Sequence, residues 1–288
     1  ELQSPVPYAH RAVALKRLKK LKLRLKDRVH LCIETLRAAR AGTSVVLGGG
    51  GFGCVLLGRD GNGGPVAIKV SSSEGHTLCR EAMLMHELQQ KGAVGFAQPF
   101  YFGRQRLLGE SEAKDVLVQT LLGPSVESLW WISAGGTRFS AACALRLGRG
   151  ALQCLTALHS IGVTHNDVTP NNICMGATDQ SSQLVHLVDL GACEAIRSTS
   201  DAPETIDGDF RGTLLFASAA AHFGRATSAV DDIESLVYCI SFLARGTLPW
   251  EGLRDGPALV GEQKISLHTH PSAAAVLADG LPDEAATA

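Results

Sequence analysis

Gly48-Gly-Gly-Gly-Phe-Gly53-Cys-Val55 fits the pattern G-x-G-x-x-G-x-V, a stretch almost bare of side chains whose backbone N–H groups can close on phosphate oxygens. Apolar runs flank it, Ser44-Val-Val-Leu47 before and Cys54-Val-Leu-Leu57 after. A glycine loop between two strands makes a hairpin, whereas a dinucleotide fingerprint or a Walker loop must run straight into a helix. Consecutive glycines satisfy many patterns, so a merely flexible hairpin is the plain alternative, and the residues downstream decide between the two.

A turn-rich stretch, Arg59 to Pro65 (RDGNGGP), leads to a third apolar run, Val66-Ala-Ile-Lys-Val70, and the three runs read as an antiparallel meander. Lys69 puts an ammonium on an otherwise apolar strand. It could simply snorkel to solvent. A helix expected over Thr77 to Lys91 supplies Glu81 as a carboxylate partner, with Glu74 and Glu87 as rivals, and a further strand is expected over Asp115 to Leu122.

Beyond LLGPS the pattern turns helical. Leu145 to Ile161 and Asp231 to Arg245 are long amphipathic stretches, with a short strand pair around Ile173 and Val185-His-Leu-Val188 between them. After the first of these helices comes His165-Asn-Asp-Val-Thr-Pro-Asn-Asn172. Asp167 can accept a proton from a hydroxyl, Asn172 offers an amide oxygen to a hard cation, and Asp189, in Val188-Asp-Leu-Gly191, offers a carboxylate. Each alone is an ordinary cap or turn residue. Together, downstream of a glycine loop and a strand lysine, they point to phosphate chemistry.

A length of 288 residues with 45% apolar content allows a large core. The net charge of -1 argues against generic nucleic-acid binding, but Arg11 to Arg28 holds nine Lys or Arg against Asp27 alone. Around that segment, from Ala9 to Ala41, Leu18, Leu21, Leu25, Val29, Cys32 and Leu36 form an apolar stripe on an expected basic helix. Such a helix either lies solvated on the domain behind it or contacts nucleic acid, an anionic membrane or the import machinery. The eight cysteines are scattered without a C-x-x-C, so reduced thiols and an intracellular setting, cytoplasm or nucleus, are expected. No apolar run is long enough for a transmembrane helix. Opening at Glu1 rather than Met, the chain is expected to be a fragment or a processed form.

GGGGFGCV, VAIK, HNDVTPNN, DLG and Gly212-Thr213 come in the order and spacing of a eukaryotic protein kinase, and the chain resembles that family. LLGPSVESLW at 121–130, LHSIGVTHNDVTPNNICMG at 158–176, FASAAAHFG at 216–224 and DDIESLVYCISFLARGTLPWEGL at 231–253 are similar to the casein-kinase-one family and its vaccinia-related relatives. The likeness covers about Val45 to Thr287. It implies an α+β, bilobal protein-kinase-like fold: a basic extension over 1–42, a small antiparallel β lobe with one helix and the hinge over 43–122, and a larger helical lobe over 123–288 that lacks the family's last helices.

The same resemblance implies a serine/threonine kinase that uses ATP and Mg2+ on a protein substrate. Gly48, Gly50, Gly51, Phe52 and Gly53 would cover ATP, Val55 and Ala67 would form the roof of the adenine site and Cys174 its floor, and Thr120 to Leu122 would be the hinge, with Gln119 as gatekeeper. Lys69 would pair with Glu81, Asp167 would be the base, Asn172 and Asp189 would hold the metal, Thr213 would support the catalytic loop and Asp232 would anchor it from beneath. Met85, His165 and Leu190 would be apolar links.

The departures carry as much weight. Asn166 replaces the arginine that precedes the catalytic aspartate, which argues against control by a phosphorylated activation loop. Leu215 and Pro257 stand where cations that read a pre-phosphorylated substrate are expected. Thr169 replaces a lysine near the developing charge, a loss worth on the order of 10²-fold in rate. Two other readings stand beside the first: a pseudokinase that binds nucleotide as a scaffold, and a small-molecule phosphotransferase of kinase-like fold.

Overall fold

Short β-prone runs separated by glycine turns become a five-stranded antiparallel sheet in the computed structural model, which describes residues 45–50, 53–71, 77–106, 112–196, 210, 212–225, 228–253, 256–269 and 277. The expected basic helix and the loop residues Gly51 and Phe52 lie outside the described residues. The chain divides into two units: one runs to Leu122 without residues 92–96, and the other takes Gly92–Phe96 and everything from Gly123.

In the first unit the strands are β1 (Val46–Gly50), β2 (Gly53–Arg59), β3 (Pro65–Ser71), β4 (Pro99–Arg106) and β5 (Ala113–Thr120), in the spatial order β1-β2-β3-β5-β4. Register pairs Val55 with Lys69 and Lys69 with Leu117, and likewise Leu57 with Ala67 and Ala67 with Gln119. Directly paired residues point to the same side of a sheet. Val55, Ala67, Lys69 and Gln119 therefore share one face. The other face carries a cluster of Leu56, Val66, Ile68, Val70, Tyr101, Val116 and Val118, each contributing roughly 1.5–3 kcal/mol by burial. Helix α1 (Thr77–Gln90) buries Leu78, Ala82, Leu84, Met85 and Leu88, and Glu81 lies in the same stripe.

The strand β4 is not anticipated from the sequence, because Pro99 and Gly103 interrupt its aromatic run Phe100-Tyr-Phe102. The position explains both: β4 is an edge strand, where proline is tolerated, and a Cβ at residue 103 would run into the Tyr101 ring. The expected strand over 115–122 starts earlier and ends at Thr120.

The second unit is mainly helical: α2 (Val126–Ser133), α3 (Ala141–Ser160), α4 (Ala219–His222), α5 (Ala229–Arg245) and α6 (Pro257–Thr269). The Ser140 hydroxyl caps α3 by accepting from the Cys143 N–H at 3.3 Å, which starts that helix before the periodic stretch does. At the head of α5 the Asp231 carboxylate accepts from both the N–H and the hydroxyl of Ser228, and Gly246 at φ 88° ends it. Helices α3 and α5 pack together, the one burying Leu155 and Leu158 and the other Leu236 and Leu243. Two small antiparallel ribbons, β6 (Val163–Thr164) with β9 (Glu194–Ala195) and β7 (Ile173–Met175) with β8 (Val185–Leu187), carry the loops of interest at their ends. No helix among the described residues is long and apolar enough to cross a membrane.

Candidate active site

A carboxylate in the apolar stripe of α1 demands a partner. Lys69 Nζ lies 2.9 Å from Glu81 Oε2, with the two side chains only 11% and 3% exposed. Glu81, the partner expected from the sequence, makes this bond; of its two rivals Glu87 is exposed and Glu74 lies outside the described residues. At the base of the glycine loop Gly50 pairs with Gly53, whose φ of 141° and approach to the Val70 carbonyl leave no room for a Cβ. Gly48 pairs with Val55, the residue that also pairs with Lys69. On the Lys69 face, Gln119 Oε1 is buried without a hydrogen-bond partner. At the hinge the Thr120 N–H donates to Gln98 O at 3.0 Å and so is not available to a base, while Leu122 is half-buried at the end of the unit.

In the second unit the HNDVTPNN loop is held at many of its backbone groups, as a largely buried loop must be. The Asp232 carboxylate, 1% exposed, accepts from the His165 N–H at 2.7 Å and the Asn166 N–H at 2.8 Å. Its Oδ2 also lies 2.7 Å from His159 Nε2. Cys239 Sγ donates to Val168 O at 3.4 Å, and the Glu127 N–H at the head of α2 donates to Pro170 O at 3.0 Å. His165, fully buried, fixes its own tautomer. Its Nδ1 accepts from the Asp167 N–H at 3.2 Å, so Nε2 carries the hydrogen and donates to Val188 O at 3.1 Å.

Both oxygens of Asp167 are oriented. Oδ1 accepts from the Thr213 hydroxyl at 2.8 Å, and Oδ2 accepts from Asn172 Nδ2 at 2.9 Å. The same Nδ2 also donates to Asp167 O at 2.9 Å. Two acceptors on one side fix the amide, so the Asn172 oxygen faces away from Asp167. The Asn172 carbonyl accepts from the Val188 N–H at 2.9 Å, which ties the strand end bearing Asp189 to the loop bearing Asn172. An amide oxygen and a carboxylate are the hard donors a small divalent cation takes alongside phosphates. Asp189 (φ 62°) and Asn166 (φ 68°) both adopt the left-handed backbone, a cost that clusters at working sites.

The two departures have definite structural roles. Thr169 is 4% exposed, and its hydroxyl is turned into the loop, accepting from the Asn172 N–H at 3.2 Å beside the Thr169 carbonyl at 3.0 Å. Asn166 Nδ2 donates to Ala192 O at 3.0 Å, in the 3-10 turn Leu190–Ala192 that follows Asp189. Cys174 pairs with His186 in the β7–β8 ribbon, and burial pushes its thiol up to about 11, so it is an inert wall. Met85 and Leu190 are buried, each within its own unit.

Sequence reasoning missed Lys264 and Glu234. Glu234 Oε1 accepts from the Ala219 N–H at 2.8 Å and the Tyr238 hydroxyl at 2.6 Å, and Lys264 is fully buried. A lysine amid Val260, Ile265 and Leu267, in a helix without a clean apolar stripe, was the available signal.

A model of the protein kinase domain matches residues 42–258. The chain is 35% identical over 225 residues to casein kinase 1-like protein HD16 of Oryza sativa subsp. japonica, a match that spans 72% of this chain and 30% of that protein. The family implies use of ATP and a divalent metal. With the family model over most of its length and that relative beside it, the chain belongs to the protein kinase family, on its casein-kinase-1-like side.

Proposed function

We propose that the chain is a serine/threonine protein kinase that moves the γ-phosphoryl group of ATP to a hydroxyl of a protein substrate, with Asp167 as base and Mg2+ held by Asn172 and Asp189. The observation that carries this reading is the double role of the Asn172 amide. Its nitrogen is spent on Asp167, which fixes the base, and its oxygen is thereby turned to where a cation can use it. When bound, Mg2+ neutralises charge on the phosphates. Transfer forms the bond from the substrate oxygen to phosphorus, breaks the bond from phosphorus to the bridging oxygen of ADP, and delivers the hydroxyl proton to Asp167. Each Asp167 oxygen already accepts one hydrogen bond, so the carboxylate is oriented and keeps lone pairs for that proton. Lys69, steadied by Glu81, is the cation for the α- and β-phosphates, and the orphaned Gln119 Oε1 is an acceptor that the amino group of a base would satisfy. The thiols of Cys54, Cys143, Cys154, Cys174 and Cys239, none of them in a disulfide, support a cytoplasmic or nuclear setting.

The test is ATP turnover by the purified chain with Mg2+ and casein as acceptor. Asp189→Asn and Asp167→Asn are expected to abolish labelling while the circular dichroism and urea midpoint hold. Labelling that survives Asp189→Asn rejects the metal assignment. One observation favours a second reading, a pseudokinase scaffold: the Thr169 hydroxyl is turned inward and brings no charge. Thermal stabilisation by nucleotide without any turnover selects that reading.

A further inference from the structure

Lys264, on α6, takes no part in the chemistry above, yet it is 0% exposed. An ammonium stripped of water needs acceptors in its place. Its Nζ donates to Ala217 O at 2.6 Å, Leu214 O at 3.2 Å and Leu215 O at 3.3 Å, with His222 Nε2 at 3.0 Å as a fourth neighbour. It also lies 4.9 Å from the ring centroids of both Tyr238 and Trp250, whose π faces attract a cation. The three carbonyls all belong to the stretch directly after Thr213. That stretch is a closed turn, because the Phe216 and Ala217 N–H groups both donate to Thr213 O, at 2.9 and 2.8 Å. Moving its carbonyls therefore moves Thr213. Other long-range groups grip the same turn. Trp250 Nε1 donates to Leu215 O at 2.8 Å, and Glu234 takes the Ala219 N–H.

We propose that Lys264 is a positioning residue for phosphoryl transfer: it clasps Leu214–Ala217 so that the Thr213 hydroxyl is held against Asp167. The proposal rests on the reading of Asp167 as the base. It gives the second unit a cation whose work is to shape the reacting loop rather than to touch substrate. The titratable groups around the ammonium are His222 from α4, Glu234, Tyr238 and Cys239 from α5, and His268 from its own helix, which lies 3.0 Å from the Tyr238 hydroxyl. Desolvation, then the neighbouring Lys264, lowers His222 to about 4, so its ring is neutral and Nε2 can accept. Desolvation, offset by Glu234 and Cys239, lowers Lys264 to about 7. Raising the pH through that value removes the charge and one of the three N–H donors from the clasp.

The experiment uses the full chain with Lys264→Met, Lys264→Arg and Thr213→Ala, alone and combined. Two readouts are measured: steady-state kinetics, and hydrogen exchange of the Phe216 and Ala217 amides. Lys264→Met is expected to lower kcat about 10- to 100-fold with the KM for ATP within about threefold, and to speed exchange at both amides. Lys264→Arg restores most of each. In the Thr213→Ala background Lys264→Met has almost no further effect on kcat, because its lever is gone. Wild-type kcat falls as the pH rises through about 7, and Lys264→Arg removes that limb. Full additivity with Thr213→Ala, or unchanged exchange, overturns the proposal. Should Lys264→Met not fold, the wild-type pH limb and its loss in Lys264→Arg decide the matter in the same way. A wild-type chain without turnover defeats the kinase reading instead. Exchange at Phe216 and Ala217 on either side of pH 7 then decides whether the clasp exists.

Discussion

Thr169→Lys tests whether the missing cation is the chief weakness of this site. The hydroxyl that is lost shares a single donor, the Asn172 N–H, with the Thr169 carbonyl, at 3.2 and 3.0 Å. The carbonyl remains after substitution, so no buried donor is orphaned and the stability cost is at most about 1 kcal/mol. The new side chain must thread out of a position that is 4% exposed, which a flexible four-carbon stem can do. Against that stands a unit charge placed near the phosphoryl group. At about 4 Å and an effective dielectric of about 20 the attraction is about 4 kcal/mol, of which the part that grows in the transition state raises the rate. A differential of about 2.7 kcal/mol is a factor of about 10². We therefore expect Thr169→Lys to raise kcat by that order, with the KM for ATP changed less than about threefold and the urea midpoint nearly constant. Thr169→Val, which removes only the hydroxyl, is the control and should leave kcat within about threefold. A folded Thr169→Lys variant whose kcat is unchanged or lower refutes the reasoning, since the loop would then not face the transferring group.

Glu81→Ala removes the ion-pair partner of the Lys69 ammonium, whose side chain is 11% exposed, and should cost up to about 3–5 kcal/mol by urea unfolding and most of the ATP affinity. Lys69→Met should abolish turnover, and because it takes the ion pair from the Glu81 carboxylate, whose side chain is 3% exposed, it should cost stability of the same order. Asp232→Asn keeps one oxygen but sets an N–H against a backbone N–H. With one buried donor orphaned and the remaining bonds made neutral, the loss should be about 3–5 kcal/mol, and kcat should fall because Asn166 is bonded to Asp167 through the chain. Stability should also fall as the pH drops from about 6.5 to about 4. Burial, then Lys264, depresses His222 to about 4, so in that window the unfolded chain binds the extra proton. The loss is about 3 kcal/mol, and a His222→Gln chain, compared by urea titration across that range, should show a flatter profile.

What could be read in advance was whatever depends on local backbone. The glycine loop, the strand lysine and the Asp167–Asn172 spacing are constraints that a few neighbouring residues impose on themselves, and they survive in one dimension. The choice of Glu81 over Glu74 and Glu87 came instead from the frame of LCREAMLM, since helical spacing alone does not say which turn of α1 faces Lys69, and the Lys69–Glu81 ion pair agrees with it. Strand β4 was hidden because Pro99 and Gly103 count as breakers until the strand is known to be at an edge. Lys264 was hidden most completely. Its acceptors lie about 50 residues upstream, and its aromatic walls come from another helix and a loop.

Asn166 shows how a lost charge can be replaced by geometry. An arginine at this position works by pairing with a phosphate on the activation segment, a contact made only after modification. Asn166 makes its contacts without one: its N–H is bound by Asp232, its backbone is held at φ 68°, and its amide donates to Ala192 in the turn after Asp189. The amide is neutral and short, so it has nothing to offer a distant phosphate, but it joins the two segments that carry Asp167 and Asp189 permanently. Together with the Asp232 carboxylate beneath the loop and the Lys264 clasp on the Thr213 side, it leaves Asp167 braced by this unit's own side chains and backbone.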